Sequence, residues 1–205
     1  MAMIEKVALV GAVALTCVAV GDAVVLAVTG SNLVTDDSDR WLATSAAVVH
    51  AAGMLVLAVA LVVCAQPIDA GRRWRRWVRR GLALGLATMG AVFAVLPLTE
   101  PPLTESPPWI EAVAGTAFLL SFGFGAVLGV GLLRDPSRRL TGVLLASPLL
   151  VLPPMVVIGQ IAPRFAHPGW AEAGLYLGTA VLVQPVLGAH DRESREPLDR
   201  SSTVG

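Results

Sequence analysis

Residues 7–29 read VALVGAVALTCVAVGDAVVLAVT, twenty-two uncharged residues and one carboxylate, Asp22. The run has no polar face, so it cannot sit on the surface of a soluble core. Crossing the hydrocarbon of a bilayer takes roughly 20 mostly apolar residues, and this stretch is long enough. The reading recurs at about 42–65, 81–98, 109–133, 140–162 and 170–189. The fold class expected is all-α, a polytopic integral membrane protein built as a bundle of six transmembrane helices. These form one membrane domain over residues 1–189, followed by a tail, 190–205, that mixes both charge signs with Ser and Pro and is expected to be disordered.

Composition agrees. Hydrophobic residues make up 55% of the 205 and charged residues 15%, far from a soluble domain's balance. The amino-terminal MAMIEK followed by an apolar run has the outline of a signal peptide. The run exceeds the ~7 to 15 residues of a cleaved segment, and AVT at 27–29 is a poor cleavage site, so it is read as the first helix.

Orientation follows from the cations, because Lys and Arg near spans accumulate on the cytoplasmic side. With an inside amino terminus, thirteen of the fifteen fall inside: Lys6, Arg72, Arg73, Arg75, Arg76, Arg79, Arg80, Arg134, Arg138, Arg139, Arg192, Arg195 and Arg200. Only Arg40 and Arg164 fall outside, while Asp36, Asp37, Asp39, Glu100 and Glu105 occupy the first two outer loops. Both termini are therefore expected in the cytoplasm, and a count of five or seven spans would break the alternation. Trp41, Trp109 and Trp170 open the second, fourth and sixth spans at the outer interface, where indole rings are favoured. Trp74 and Trp77 lie in the inner loop GRRWRRWVRR, 71–80.

That loop supplies a candidate contact for anionic lipid headgroups: Arg72, Arg73, Arg75, Arg76, Arg79 and Arg80. The plainer reading is that they only set topology. If the loop continues the third helix backwards, Trp74, Trp77, Val78 and Gly81 share one side.

Helices in lipid associate through small residues. Ala8, Ala12, Thr16, Ala19 and Ala23 form such a row on the first span, with Gly11 and Asp22 flanking it. Ala43, Ala46, Ala47, His50 and Gly53 share a face of the second. Gly81 and Gly85, Gly125 and Gly129, and Gly174 and Gly178 offer further close approaches. In the fifth span Pro148, Pro153 and Pro154 remove backbone donors, so a kink or short unwound segment is expected. Nothing in the second span echoes that triplet, so no inverted repeat is read.

Helix rise places Asp22 and His50 both roughly 10 to 14 Å below the outer boundary. Ionisable groups at such depth default to functional candidates, and imidazole titrates near neutral pH. The candidate proton or ligand site is Asp22, His50, Glu111, Gln160, Glu172 and Tyr176, on five helices of the outer half. Against it stand a structural clasp of Asp22 with His50, an Asp22 simply kept protonated by desolvation, and ordinary interfacial roles for Glu111 and Glu172. For His167, in the last outer loop, a surface role is preferred over the alternative that it faces the outer pocket. The inner half offers only Gln184 as a clear polar group, which favours an outward pocket over a channel.

No zinc, nucleophile-elbow or phosphate-loop motif occurs. Cys17 and Cys64 have no paired spacing and read as small apolar fillers. No catalytic set, metal site, cofactor or nucleic-acid partner is read; the bilayer and its anionic lipids are the expected partners, and a homo-oligomer is compatible with the sequence. With its short acidic first outer loop and basic first inner loop, the chain resembles in layout small six-helix bacterial membrane proteins, which implies a multi-pass place in the inner membrane and transfers no activity. Three readings stand: binding or transport of a proton, cation or small polar solute; a structural or accessory membrane protein; and an enzyme acting on lipid.

Overall fold

A computed structural model describes residues 2–30, 40–95 and 108–185, without the side chains of Ala2, Arg40 and Pro67. The tail at 190–205 and the acidic loop residues Asp36, Asp37, Asp39, Glu100 and Glu105 lie outside the described residues. Among the described residues every regular element is helical. The order is α1 (Ala2–Thr29), α2 (Arg40–Val63), α3 (Ala65–Asp69), α4 (Arg73–Val95), α5 (Pro108–Leu132), α6 (Arg139–Ala146), α7 (Pro148–Ile161) and α8 (Gly169–Val183), with single 3-10 turns at Pro136–Arg138 and Pro163–Phe165. Among the described residues, five helical stretches are long and apolar enough to cross a membrane, the α6–α7 pair acting as one of them.

The sequence boundaries hold within a residue or two for α2 and α5 and for the end of α1, which begins five residues before 7, at Ala2; elsewhere they move for local reasons. The helix expected to open at 81 begins at Arg73, because Arg and Trp at 73–80 tolerate helix well and no breaker follows Gly71. The short α3 and two left-handed residues, Ala70 (φ 44°) and Gly71 (φ 73°), reverse the chain between α2 and α4. An alanine in that region costs about 1–2 kcal/mol, so tertiary contacts must hold the corner. The sixth helix ends at Val183, short of 189, because Gln184 precedes Pro185 and is pushed to extended backbone (φ −69°, ψ 148°). The kink expected in the fifth span falls at Ser147, where Pro148 opens a new helix. Pro153 and Pro154 lie inside α7 without ending it.

The helices close a ring: α1 packs on α2, α2 on α4, α4 on α5, α5 on α6, α6 on α8, and α8 back on α1. Small residues set the distances. Ala8, Ala12, Ala19 and Ala23 are all buried on α1, as the spacing predicts. A Cβ added at Gly129 would fall 2.7 Å from the Ala146 nitrogen and 2.8 Å from the Gly142 oxygen, so α5 and α6 touch backbone to backbone. Gly174 is held against the Leu144 carbonyl, where a Cβ would be 2.9 Å away, so α8 crosses at the kink. Leu15, Leu57, Leu61, Leu82, Leu86, Leu128 and Leu182 fill the interior.

The outer surface is apolar. Val10 is 70% exposed, Leu84 69%, Leu119 68% and Leu150 79%. Soluble monomers rarely present such continuous apolar area to water.

Candidate functional site

Two polar groups occupy opposite ends of the bundle. The first forms where α1 ends and α8 begins. Asp22 sits seven residues before the end of α1, on the buried face it shares with Ala19 and Ala23. The chain re-enters the bundle through the turn at Pro163–Phe165, and α8 opens with Gly169 against the Ala19 carbonyl. A side chain at 169 would hold the two helices apart, so this glycine lets His167 reach Asp22.

The His167 Nε2 lies 3.2 Å from Asp22 Oδ2, with side chains 15% and 10% exposed. Its Nδ1 accepts from the Gly169 N–H at 3.1 Å. A nitrogen that accepts carries no proton, so the neutral ring bears its hydrogen on Nε2 and donates it to the carboxylate. The ring is thus held from both sides, by α1 and by the first turn of α8.

Glu172 and Tyr176 continue this polar region along α8. The Tyr176 hydroxyl hydrogen-bonds to Glu172, and the Glu172 carboxyl is within electrostatic reach of His167 and Asp22. Tyr176 is 1% exposed. His50, on α2, lies within electrostatic reach of Asp22 and His167. It is buried, with Nδ1 3.0 Å from the Ala46 carbonyl and its ring stacked on Phe93 at 4.9 Å between centroids. A carbonyl only accepts, so Nδ1 carries the proton and Nε2 keeps the lone pair.

Sequence reasoning paired Asp22 with His50 and left His167 at the surface. The 3.2 Å contact belongs to His167, because α8 folds back against α1 and brings the last loop over Asp22. The signal was the placement of His167 in HPGW, two residues before a glycine opening a helix. Glu111 and Gln160 are exposed and make no side-chain hydrogen bond among the described residues. Of the six candidates the structure therefore gathers Asp22, His50, Glu172 and Tyr176, and adds His167. Among the described residues no group of three His, Cys, Asp or Glu is arranged to hold a metal ion.

The chain matches no protein-family model, no curated protein and no solved structure. The geometry alone carries the functional argument.

The second polar group lies at the opposite end, where α2, α4 and α8 begin or end. Arg79 makes a two-pronged pair with Asp69, Nε to Oδ1 at 2.8 Å and Nη2 to Oδ2 at 3.1 Å, and donates from Nη1 to the Leu61 carbonyl at 2.7 Å. Arg76 stands 3.7 Å from the same carboxylate. Arg138 donates at 2.9 Å to the Leu182 carbonyl, satisfying an acceptor at the end of α8. Gln184 reaches across to the Glu5 carbonyl at 2.9 Å. Arg75 and Arg79 are 4% exposed each, so of the six headgroup candidates Arg72, Arg73, Arg76 and Arg80 stand at the surface. Both buried arginines lie on the α4 face that continues through Leu82, Leu86 and Met89 into the core. The inner half expected to be almost free of charge thus buries Asp69, Arg75, Arg79 and Arg138 at its end.

Proposed function

We propose that this chain is a six-span membrane protein with both ends on the cytoplasmic side, which binds a proton or a small polar or cationic solute at the group formed by Asp22, His167, His50, Glu172 and Tyr176. The apolar outward faces of the helices support insertion, and the bias of cations to one set of loops supports the orientation. In such a setting α8, fifteen residues long, reaches about 22 Å and would span by local thinning of the bilayer.

The observation that carries the binding reading is the Asp22–His167 contact at 3.2 Å, an acid and an imidazole held together within apolar helices. Its chemistry is that of a proton acceptor. Adding a proton to His167 at Nδ1 turns an acceptor into a donor and breaks the bond from the Gly169 N–H, so uptake would loosen the first turn of α8. Two hydroxyls further along, Thr16 on α1 and Thr179 on α8, are buried without a hydrogen-bond partner among the described residues. Each such group costs about 1–3 kcal/mol, and a polar solute or water entering this region would satisfy them.

The test is proton or solute movement in proteoliposomes holding a pH-sensitive dye. The wild type is expected to move protons down an imposed gradient, and Asp22→Asn and His167→Ala to abolish it while remaining folded. Mass spectrometry of the same protein taken from native membranes would reveal a bound solute. No flux and no solute in the wild type would remove the proposal.

One observation favours a second reading, a structural clasp between α1 and α8: both His167 nitrogens already have partners in the chain. Under that reading Asp22→Asn and His167→Ala lower thermal stability and change no transport or binding.

A further inference from the structure

Three arginines are buried at the end of the bundle away from Asp22, and their partners are unequal. Arg79 has a carboxylate and a carbonyl, and Arg138 has the Leu182 carbonyl among its partners. Arg75, only 4% exposed, has no acceptor for its Nε hydrogen among the described residues. Its guanidinium carbon lies 5.6 Å from the centroid of the Trp74 ring, which offers a face but no lone pair. An arginine cannot shed its proton to escape this position, and an uncompensated buried charge is strongly unfavourable.

The surroundings of Arg75 do not balance it. The charges that act on it are Arg72 and Asp135, and it in turn acts on Arg138. Among the described residues, two guanidinium groups, Arg72 and Arg138, and one carboxylate are therefore within electrostatic reach of Arg75. That carboxylate is shared with other donors, since Asp135 Oδ1 accepts from the Ser137 N–H at 3.1 Å and from the Ser137 hydroxyl at 2.6 Å. The start of α4, the turn after α5 and the end of α8 come together here: the Trp74 ring lies against Gly131, and Arg138 ties the turn to Leu182.

We propose that this corner is a binding site for a phosphate group, held by Arg75 and Arg138 with Arg72 adding charge at its rim. Guanidinium forks match phosphate oxygens in geometry as well as charge, and a phosphate would supply the acceptor that the Arg75 Nε lacks. Leu133, exposed on the turn that also carries Asp135 and Arg138, adds an apolar side chain suited to an anionic phospholipid whose chains lie along the bundle. Free phosphate has the same headgroup chemistry without the chains. The lipid source rests on the membrane reading above; the anion site itself does not.

The experiment uses the full chain in two forms. Nanodiscs of mixed phosphatidylcholine and phosphatidylglycerol, followed by native mass spectrometry, report which lipid is retained. Calorimetric titration of the detergent-solubilised protein with inorganic phosphate reports the free anion. The expected result is phosphatidylglycerol retained over phosphatidylcholine by the wild type and lost about tenfold in Arg75→Gln and Arg138→Gln, with less than about twofold change in Arg164→Gln, an exposed arginine at the other end of the bundle. Phosphate binding with the same dependence on Arg75 and Arg138, and no lipid preference, would assign the site to a free anion. If Arg75→Gln does not fold, Arg75→Lys serves, since it keeps the charge and loses the fork; a loss of about fivefold with an unchanged helical spectrum is the supporting result. Equal binding by wild type and all these variants, or no binding of either probe by wild type, overturns the proposal. Failure of the wild type to enter nanodiscs counts against the membrane reading, and the phosphate titration then decides the site alone.

Discussion

His167 and Asp22, from opposite ends of the chain, meet at 3.2 Å where α8 folds back on α1. The contact depends on Gly169, which rests against the Ala19 carbonyl one turn along α1 from Asp22. One glycine, one imidazole and one carboxylate thereby join the first helix to the last and complete the ring. The Gly169 N–H can be accepted only by an unprotonated Nδ1, which fixes the tautomer of the neutral His167 ring.

Removing either partner should expose their coupling. His167→Ala and Asp22→Asn are each expected to destabilise the detergent-solubilised protein by about 1–3 kcal/mol. The double variant should cost less than the sum, by about 1–2 kcal/mol. Thermal unfolding of the four proteins closes the cycle, and strict additivity would mean that the contact contributes nothing.

The buried pair of Arg79 with Asp69 predicts an asymmetric result. Arg79→Ala strands a carboxylate that is itself buried and should cost about 3–5 kcal/mol. Replacing both, as Arg79→Met with Asp69→Leu, should recover much of that loss, because no unpaired charge remains. The Leu61 carbonyl would still lose its donor, so recovery should stop short of wild type. Equal unfolding temperatures for the single and double variants would contradict this.

Glycines divide by what surrounds them. A Cβ at Gly129 would meet Ala146 and Gly142 backbone under 3.0 Å, whereas at Gly123 nothing lies within 4 Å. Gly129→Val should therefore prevent folding or reduce it severely. Gly123→Ala should stabilise α5 by about 0.5–1 kcal/mol through helix propensity alone. Yield of folded protein and melting temperature are the measurements, and a Gly129→Val protein that melts like wild type would refute the close crossing of α5 and α6.

Orientation can be checked with single cysteines in a Cys17→Ala, Cys64→Ala background. Ser137→Cys and Arg164→Cys sit at opposite ends of the α6–α7 stretch and are both exposed. With both termini cytoplasmic, a membrane-impermeant maleimide should label position 164 in intact cells and position 137 only after permeabilisation. The reverse pattern would invert the topology.

Much of the helical layout was legible from the chain. The apolar lengths located the helices, and the rows Ala8, Ala12, Ala19, Ala23 and Ala46, Ala47, Gly53 identified faces that are indeed buried. These signals are local: a helix's period and a residue's size are properties of neighbouring positions. The end of α8 at Val183 was also written locally, in the Gln184–Pro185 pair, and was overlooked.

What only the tertiary structure decided is which polar groups meet. Asp22 had candidate partners at similar heights, and the choice of His167 followed from which helices are neighbours in the ring and from how closely Gly169 lets α8 approach. Asp69 had no visible role in sequence; it becomes the partner of Arg79 only after α3 and the left-handed Ala70 and Gly71 turn the chain back. Arg75 looked like its exposed neighbours and is buried because α4 starts two turns early and turns that side inward. Hydropathy is summed along the chain and survives without knowledge of the fold, whereas a salt bridge depends on ångströms between elements distant in sequence, and those distances exist only once the bundle has closed.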